Sequence, residues 1–206
     1  MAKLHIITII RNRPKYFQLM TESMRRQTFQ DFEWTIFDNK KNESLASITT
    51  RVFLDSTAEL CGKIDDDILL EPDCIQRLVD AHNKYHFGYL GPFHFREEEM
   101  QGVEPKITEY NGVKIWERPH IGGNFVIRRE DFKGYNGEGV MGLSDYQHES
   151  LHPNGYIFPF SIADHLQDAR SKHHIPEYEN KFGLGSADYL ATFIRDSIPY
   201  LRAEYP

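Results

Sequence analysis

The chain is poor in cysteine: its 206 residues include two, Cys61 and Cys74. Two cysteines make no disulfide framework, and they lack the companions that a structural zinc site needs. They read as small buried hydrophobes rather than nucleophiles. Long apolar runs are missing as well. The longest, Leu4 to Ile10, is interrupted by His5 and Thr8 and falls far short of the roughly 20 residues that span a bilayer. There is no excess of positive charge: 24 Lys+Arg against 31 Asp+Glu gives 24 − 31 = −7. That balance offers no general electrostatic footprint for nucleic acid and leaves room only for a local basic patch. Met1-Ala2-Lys3 runs straight into the apolar stretch with no small-residue cleavage site, so no signal peptide is expected. The chain shows no internal repeat and no low-complexity linker. What it does have is 40% hydrophobic, 13% aromatic and 27% charged residues. This is the composition of a globular chain, at a length suited to one domain with a sizeable core. A soluble, cytoplasmic, single-domain protein is expected.

Leu4 to Ile10 reads as a buried strand rich in β-branched residues, ended by Arg11-Asn12-Arg13-Pro14. Pro14 stands where a helix begins, and Tyr16, Leu19, Met20 and Met24 follow at helical spacing to about Gln27. Trp34 to Phe37 is a second strand with Asp38-Asn39 at its carboxyl end. Strand, helix and strand in under forty residues predict a βαβ unit, hence parallel pairing. Lys40 to Glu59 is polar and carries no clear pattern. Leu60 to Ile64 reads as another strand, leading directly into Asp65-Asp66-Asp67. Glu71-Pro72-Asp73 is expected to open a helix with acidic residues in its first turn, with Ile75, Leu78 and Val79 on one face. Phe87 to Phe95 looks strand-like. Val113 to Trp116 and Asn124 to Arg128 read as two strands, open to an antiparallel arrangement around Pro119 and Gly122-Gly123.

The chemistry concentrates in Asp65-Asp66-Asp67. Three adjacent carboxylates repel one another unless a cation is present. Oxygen-only ligands at a strand end suit Mg²⁺ or Mn²⁺, which commonly share their coordination with substrate phosphates. The position also fits the rule that α/β sheets bind ligands beyond the carboxyl ends of their strands. The plainer alternative is a solvated acidic turn ahead of the next helix. Asp38 and the Arg11-Asn12-Arg13 turn follow two other strands and would face the same crevice. Taken singly, Asp38-Asn39 is an ordinary turn former and the arginines an ordinary surface pair at a helix start. Trp116, His120 and Tyr146 offer a surface for stacking a ligand ring or, more plainly, packing aromatics.

Four segments in order resemble the family 2-type glycosyltransferases of the GT-A fold. They are Ile6 to Pro14, Gln27-Thr28-Phe29-Gln30-Asp31-Phe32-Glu33-Trp34, Asp65-Asp66-Asp67 with Glu71-Pro72, and Ile121 to Arg129. The resemblance runs over roughly residues 4–165. It implies a single Rossmann-like α/β domain with a mixed, mostly parallel sheet flanked by helices, over residues 1–168. The nucleotide-sugar half would cover about 1–95 and the acceptor half about 96–168, with 169–206 an extension or flap packed on the same domain. Asp38 then takes the base contact. Asp65 and Asp67 become the D-x-D pair, Asp67 as the direct metal ligand and Asp65 on a ribose or a water. Asn12, Arg13, Asp66, Gly123 and Asn124 join the nucleotide-sugar site, and His165 stands where relatives carry a further metal or phosphate ligand. Asp145 falls at the catalytic acid residue's place, as general base in an inverting transfer. Read from the residues alone, Asp145 also suits an N-cap.

The departures are specific. The family has a longer segment between its second strand and the D-x-D, with a nucleotide-contacting arginine. Here Lys40 to Leu60 fills that space and Arg51 stands in for the contact. Asn39 replaces a second acidic residue, and Ser144 a frequent Glu. The resemblance implies a metal-dependent inverting transferase that moves a sugar from a nucleotide-diphosphate donor, a UDP-sugar first, to an acceptor hydroxyl. The acceptor is a saccharide first, with a modified nucleic-acid base as a further option. A nucleotidyltransferase is the rival enzyme class, although Arg11 to Pro14 contains no phosphate-cradling glycine. A non-catalytic nucleotide-sugar or metal-binding module is the rival outside enzymes.

Overall fold

The computed structural model describes residues 2–10, 13–39, 43–93, 104–118, 121–135, 153–160 and 164–166. Strand β1 (Leu4–Ile10) is buried along nearly its whole length. It pairs in parallel with β2 (Phe32–Asp38) on one side and β3 (Leu60–Lys63) on the other. Period-two alternation sends its side chains to two cores. Leu4 and Ile6 enter a cluster with Met20, Met24, Ile75, Leu78 and Val126. Ile7 and Ile9 enter a second cluster with Ile48, Phe53, Phe125 and Phe132. Helices must therefore cover both faces. Helix α1 (Pro14–Arg25) and helix α3 (Cys74–Lys84) supply the first cluster, and α2 (Leu45–Asp55) the second.

The remaining described strands are β4 (Ile68–Leu69), β5 (Leu90–Gly91), β6 (Ile107–Tyr110), β7 (Val113–Glu117), β8 (Phe125–Arg128), β9 (Gly155–Phe158) and β10 (Asp164–His165). Eight of the described strands form one sheet in the order β2-β1-β3-β8-β5-β9-β7-β6, and β10 pairs with β4 apart from it. Following the pairings, only β8 and β7 run against the other six. The α/β fold with a mixed sheet, mostly of one direction, is as expected.

Several details differ from the sequence reading. The unassigned segment after β2 holds α2, whose Ser44 side chain caps the Ser47 amide at 3.4 Å. Helix α3 begins at Cys74, so Glu71 and Asp73 precede its first turn instead of filling it. Its opening amide at Ile75 is held by the Gln27 side chain at 3.1 Å, and Gln27 also donates to the Glu71 carbonyl at 2.8 Å. The Gln-Thr segment thus fastens the end of α1 to the entry of α3. Of the strand-like stretch from Phe87 to Phe95, the described residues hold the short β5. Strands β7 and β8 are neither neighbours nor antiparallel: β5 and β9 lie between them, and both run the same way. The true hairpin partner of β7 is β6, through Asn111-Gly112 with φ of 49° and 76°, the signature of a tight two-residue turn.

Candidate functional site

Parallel pairing puts the carboxyl ends of β2, β1 and β3 on one edge of the sheet. The Ile64 amide extends the ladder by donating to the Ile7 carbonyl at 3.0 Å, so Asp65 emerges just past the sheet. Because β8 is antiparallel to β3, with Phe125 opposite Lys63, Gly122-Gly123-Asn124 arrives at the same edge. The Asn124 side chain accepts the Asp65 backbone amide at 2.8 Å and donates to the Asp65 carboxylate at 3.4 Å. Asn124 therefore fixes the start of the acidic turn. A Cβ on Gly123 would come within 2.8 Å of the Asp65 carboxylate and 2.9 Å of the Lys63 ammonium, so a side chain there would displace the ends of this ion pair.

Asp66 and Asp67 are 1% and 4% exposed, and buried carboxylates need partners. Arg13 supplies them. It is the residue just before α1, which Pro14 opens. One guanidinium nitrogen pairs with Asp66 and another meets Asp67 at 2.7 Å. Burial works against the Arg13 charge, but Asp67, Asp66 and Asp65 outweigh it and hold its pKa above the ordinary value. Asp65 pairs instead with Lys63, a buried lysine at the end of β3 that also donates to the Gly123 carbonyl at 3.0 Å. Sequence reasoning missed Lys63. Its signal is a lysine closing a buried strand directly before three aspartates.

The structure thus brings together Arg13, Asp65, Asp66, Asp67, Gly123 and Asn124. Strand β10 sets His165 opposite Ile68, and the Leu166 amide donates to the Asp67 carbonyl at 2.8 Å. The histidine's backbone therefore lies beside the acidic turn. Asp38 is exposed at the end of β2, aligned with Ile10 on the same edge. Its neighbour Asn39 is buried and closes the following turn by exchanging hydrogen bonds with Glu43 at 2.8 and 2.9 Å. Arg51 stands on α2, with its guanidinium 5.5 Å from the Phe37 ring centre and 3.4 Å from Glu43. Trp116 is 3% exposed and packs with Phe93 and Tyr156, which favours the packing role over sugar stacking. The Tyr156 hydroxyl accepts the Gly122 amide at 3.1 Å and so steadies the glycine loop. Asn12, His120, Asp145 and Tyr146 lie outside the described residues.

The donor set fits a hard divalent cation. It consists of carboxylate oxygens only, at the edge where α/β sheets bind ligands, and their burial has already drawn in two cationic side chains.

No known family matches the chain by its sequence, and no curated protein does. Solved structures do. The mannosyltransferase PcManGT from Pyrobaculum calidifontis, in complex with GDP-Man and Mn²⁺, matches with a TM-score of 0.64 at 14% identity. That match covers 98% of this chain and 69% of that one. The fold is that of the GT-A-like glycosyltransferases. S. aureus TarS 1-349 in complex with UDP-GlcNAc matches with a TM-score of 0.57 at 12% identity, over 82% of this chain and 62% of that chain. A second TarS structure matches at 0.56 and 9% identity, and there this chain spans only 36% of the other's length. No helix among the described residues is long and apolar enough to cross a membrane.

Proposed function

We propose that this chain is a metal-dependent, inverting glycosyltransferase that moves a sugar from a nucleotide-diphosphate donor to an acceptor hydroxyl. The observation that carries the reading is the acidic turn Asp65 to Asp67, set at the carboxyl edge of a GT-A-like sheet between Arg13 and the Gly123-Asn124 loop. Asp38 at the end of β2 is the contact for the donor's base, with Arg51 above the same strand. A divalent Mg²⁺ or Mn²⁺ held by Asp67, and by Asp66 or Asp65 beside it, would neutralise charge developing on the leaving diphosphate. Arg13 adds positive charge at the same edge. His165 is a further ligand for the ion or a phosphate, and Asp145 is the general base that takes the acceptor proton. A UDP-sugar is the first donor to test. The complexes of the similar structures, one with UDP-GlcNAc and one with GDP-Man, put GDP second.

A thermal-shift panel of UDP, GDP, CDP and dTDP, each with Mn²⁺ or EDTA, tests this. One nucleotide should stabilise the protein only with metal. At about 100 times its Kd the gain is roughly 2.7 kcal/mol. Asp67→Asn should abolish that shift. Asp145→Asn should keep it and lower transfer about 10²-fold. No shift with any nucleotide would leave the aspartates as a helix-entry turn and remove the transferase reading.

A further inference from the structure

The acidic turn contains its own cations, and they are not equivalent. Among the described residues, three carboxylates meet two cationic side chains, a balance of −3 + 2 = −1. Lys63 is built into a central strand, 8% exposed, and its ammonium is held from two sides by Asp65 and the Gly123 carbonyl. It cannot leave without burying an unpaired charge. Arg13 is buried to the same degree, its side chain 10% exposed against 11% for Lys63. What sets it apart is that it precedes helix α1 instead of closing a sheet strand, and that its head is the group that holds both Asp66 and Asp67. Those are the same oxygens that a divalent ion needs. Adding such an ion beside both cations would leave the cluster at +1. Exchanging it for Arg13 leaves −3 + 1 + 2 = 0.

We propose that Arg13 is an exchangeable counter-ion: it and a divalent cation compete for the carboxylates of Asp66 and Asp67, and the displaced guanidinium turns to the diphosphate of the donor. The proposal rests on the transferase reading for the identity of the anionic ligand, but not for the competition itself. Guanidinium binds carboxylate and phosphate with the same planar fork, so one side chain serves both. Metal and nucleotide binding are then coupled through it. The ion alone bears the cost of moving Arg13, whereas ion and diphosphate together give the displaced charge a new partner, so each raises the other's affinity.

The test is Mn²⁺ binding to the protein without nucleotide, read by the loss of the free-ion EPR signal. Arg13→Gln keeps hydrogen-bond donors and removes the charge. It should bind Mn²⁺ about tenfold more tightly than wild type, the scale of one charge-assisted hydrogen bond. Mn²⁺ alone should also raise the variant's melting temperature more than the wild type's. Arg13→Lys, with its charge kept, should stay near wild type as the control, and Arg13→Met takes the place of Gln if Gln disturbs folding. Equal or weaker Mn²⁺ binding by Arg13→Gln overturns the exchange, as does an absence of Mn²⁺ binding by both proteins. Tighter Mn²⁺ binding with no response to any nucleoside diphosphate supports the exchange and removes the transferase reading. A metal-dependent nucleotide shift with unchanged Mn²⁺ affinity does the reverse.

Discussion

Lys63 is where strand β3 and the glycine loop meet, because its ammonium is shared between a carboxylate on one and a carbonyl on the other. A buried lysine is unfavourable unless every direction around its head is satisfied. Lys63→Met keeps the length of the side chain and removes the charge, leaving Asp65 without its ammonium. Asp65 is about one-third exposed, so water recovers part of the loss. A destabilisation of about 1–3 kcal/mol is expected, a fall of several degrees in Tm for a chain of this size. Asp65→Asn alone should cost at least as much, since it takes the carboxylate from an ammonium that is more deeply buried than Asp65 itself. The double variant should be less unstable than the two single losses added together, which a double-mutant cycle measures directly. Strict additivity would show that Lys63 and Asp65 are neighbours without coupling.

At the scale of elements, two glycines separate local conformation from packing. Gly112 lies in the β6–β7 turn at φ 76°, and an added Cβ there would meet nothing within 4 Å. Gly112→Ala should therefore cost only the left-handed penalty, about 1–2 kcal/mol. Gly155 opens β9, and a Cβ there would lie 2.3 Å from the Trp116 carbonyl oxygen. Backbone on the β7 side cannot move without opening the β7–β9 ladder, so Gly155→Ala should lower Tm well beyond Gly112→Ala. Equal losses would mean that the ladder yields. The same contrast explains what is legible in the sequence. Elements with strong local periodicity, namely β1, α1, β2, β3, α3 and β8, are readable along with the acidic turn and its neighbouring strand ends. Helix α2 is not: Leu45 to Asp55 is rich in Ser, Thr and β-branched residues of modest helix propensity. Burial of Ala46, Ile48, Thr49 and Phe53 against the sheet holds it. The insertion of β5 and β9 between β7 and β8 is a long-range pairing that no local pattern encodes. Arg13 is hidden as a counter-ion for a related reason: it meets Asp67 from 54 residues away, and such partners come together only in the fold. Asn111-Gly112 is a usable hairpin signal for β6.

At the scale of the whole molecule, His82 links the stability of the chain to pH. It is the fully buried histidine of α3, with Nε2 3.1 Å from the Val126 carbonyl of β8 and its ring edge-on to Phe87. Nδ1 has no hydrogen-bond partner among the described residues, so a second proton there would be buried and unpaired. Burial pushes its pKa down to about 4, against the Val126 hydrogen bond and with added repulsion from Arg128 and His86. An unfolded histidine titrates near 6.5. Below that pH the unfolded chain takes up a proton that the folded chain refuses until about pH 4, so stability falls as pH is lowered through this window and is unaffected above it. Between pH 8 and pH 5 the loss from this one group is about 2 kcal/mol, a sizeable part of an ordinary domain's 5–15 kcal/mol. The consequence reaches the site. Helix α3 is entered through the turn that Gln27 fastens beside the aspartates, and β8 carries the Gly123-Asn124 loop. Charging His82 therefore loosens the two elements that meet the acidic turn from opposite sides. Urea unfolding of wild type and His82→Phe at pH 8, 6.5 and 5 should show a steeper acid loss for wild type, by up to one proton. Parallel pH profiles would mean that His82 titrates normally and that acid sensitivity arises elsewhere in the chain.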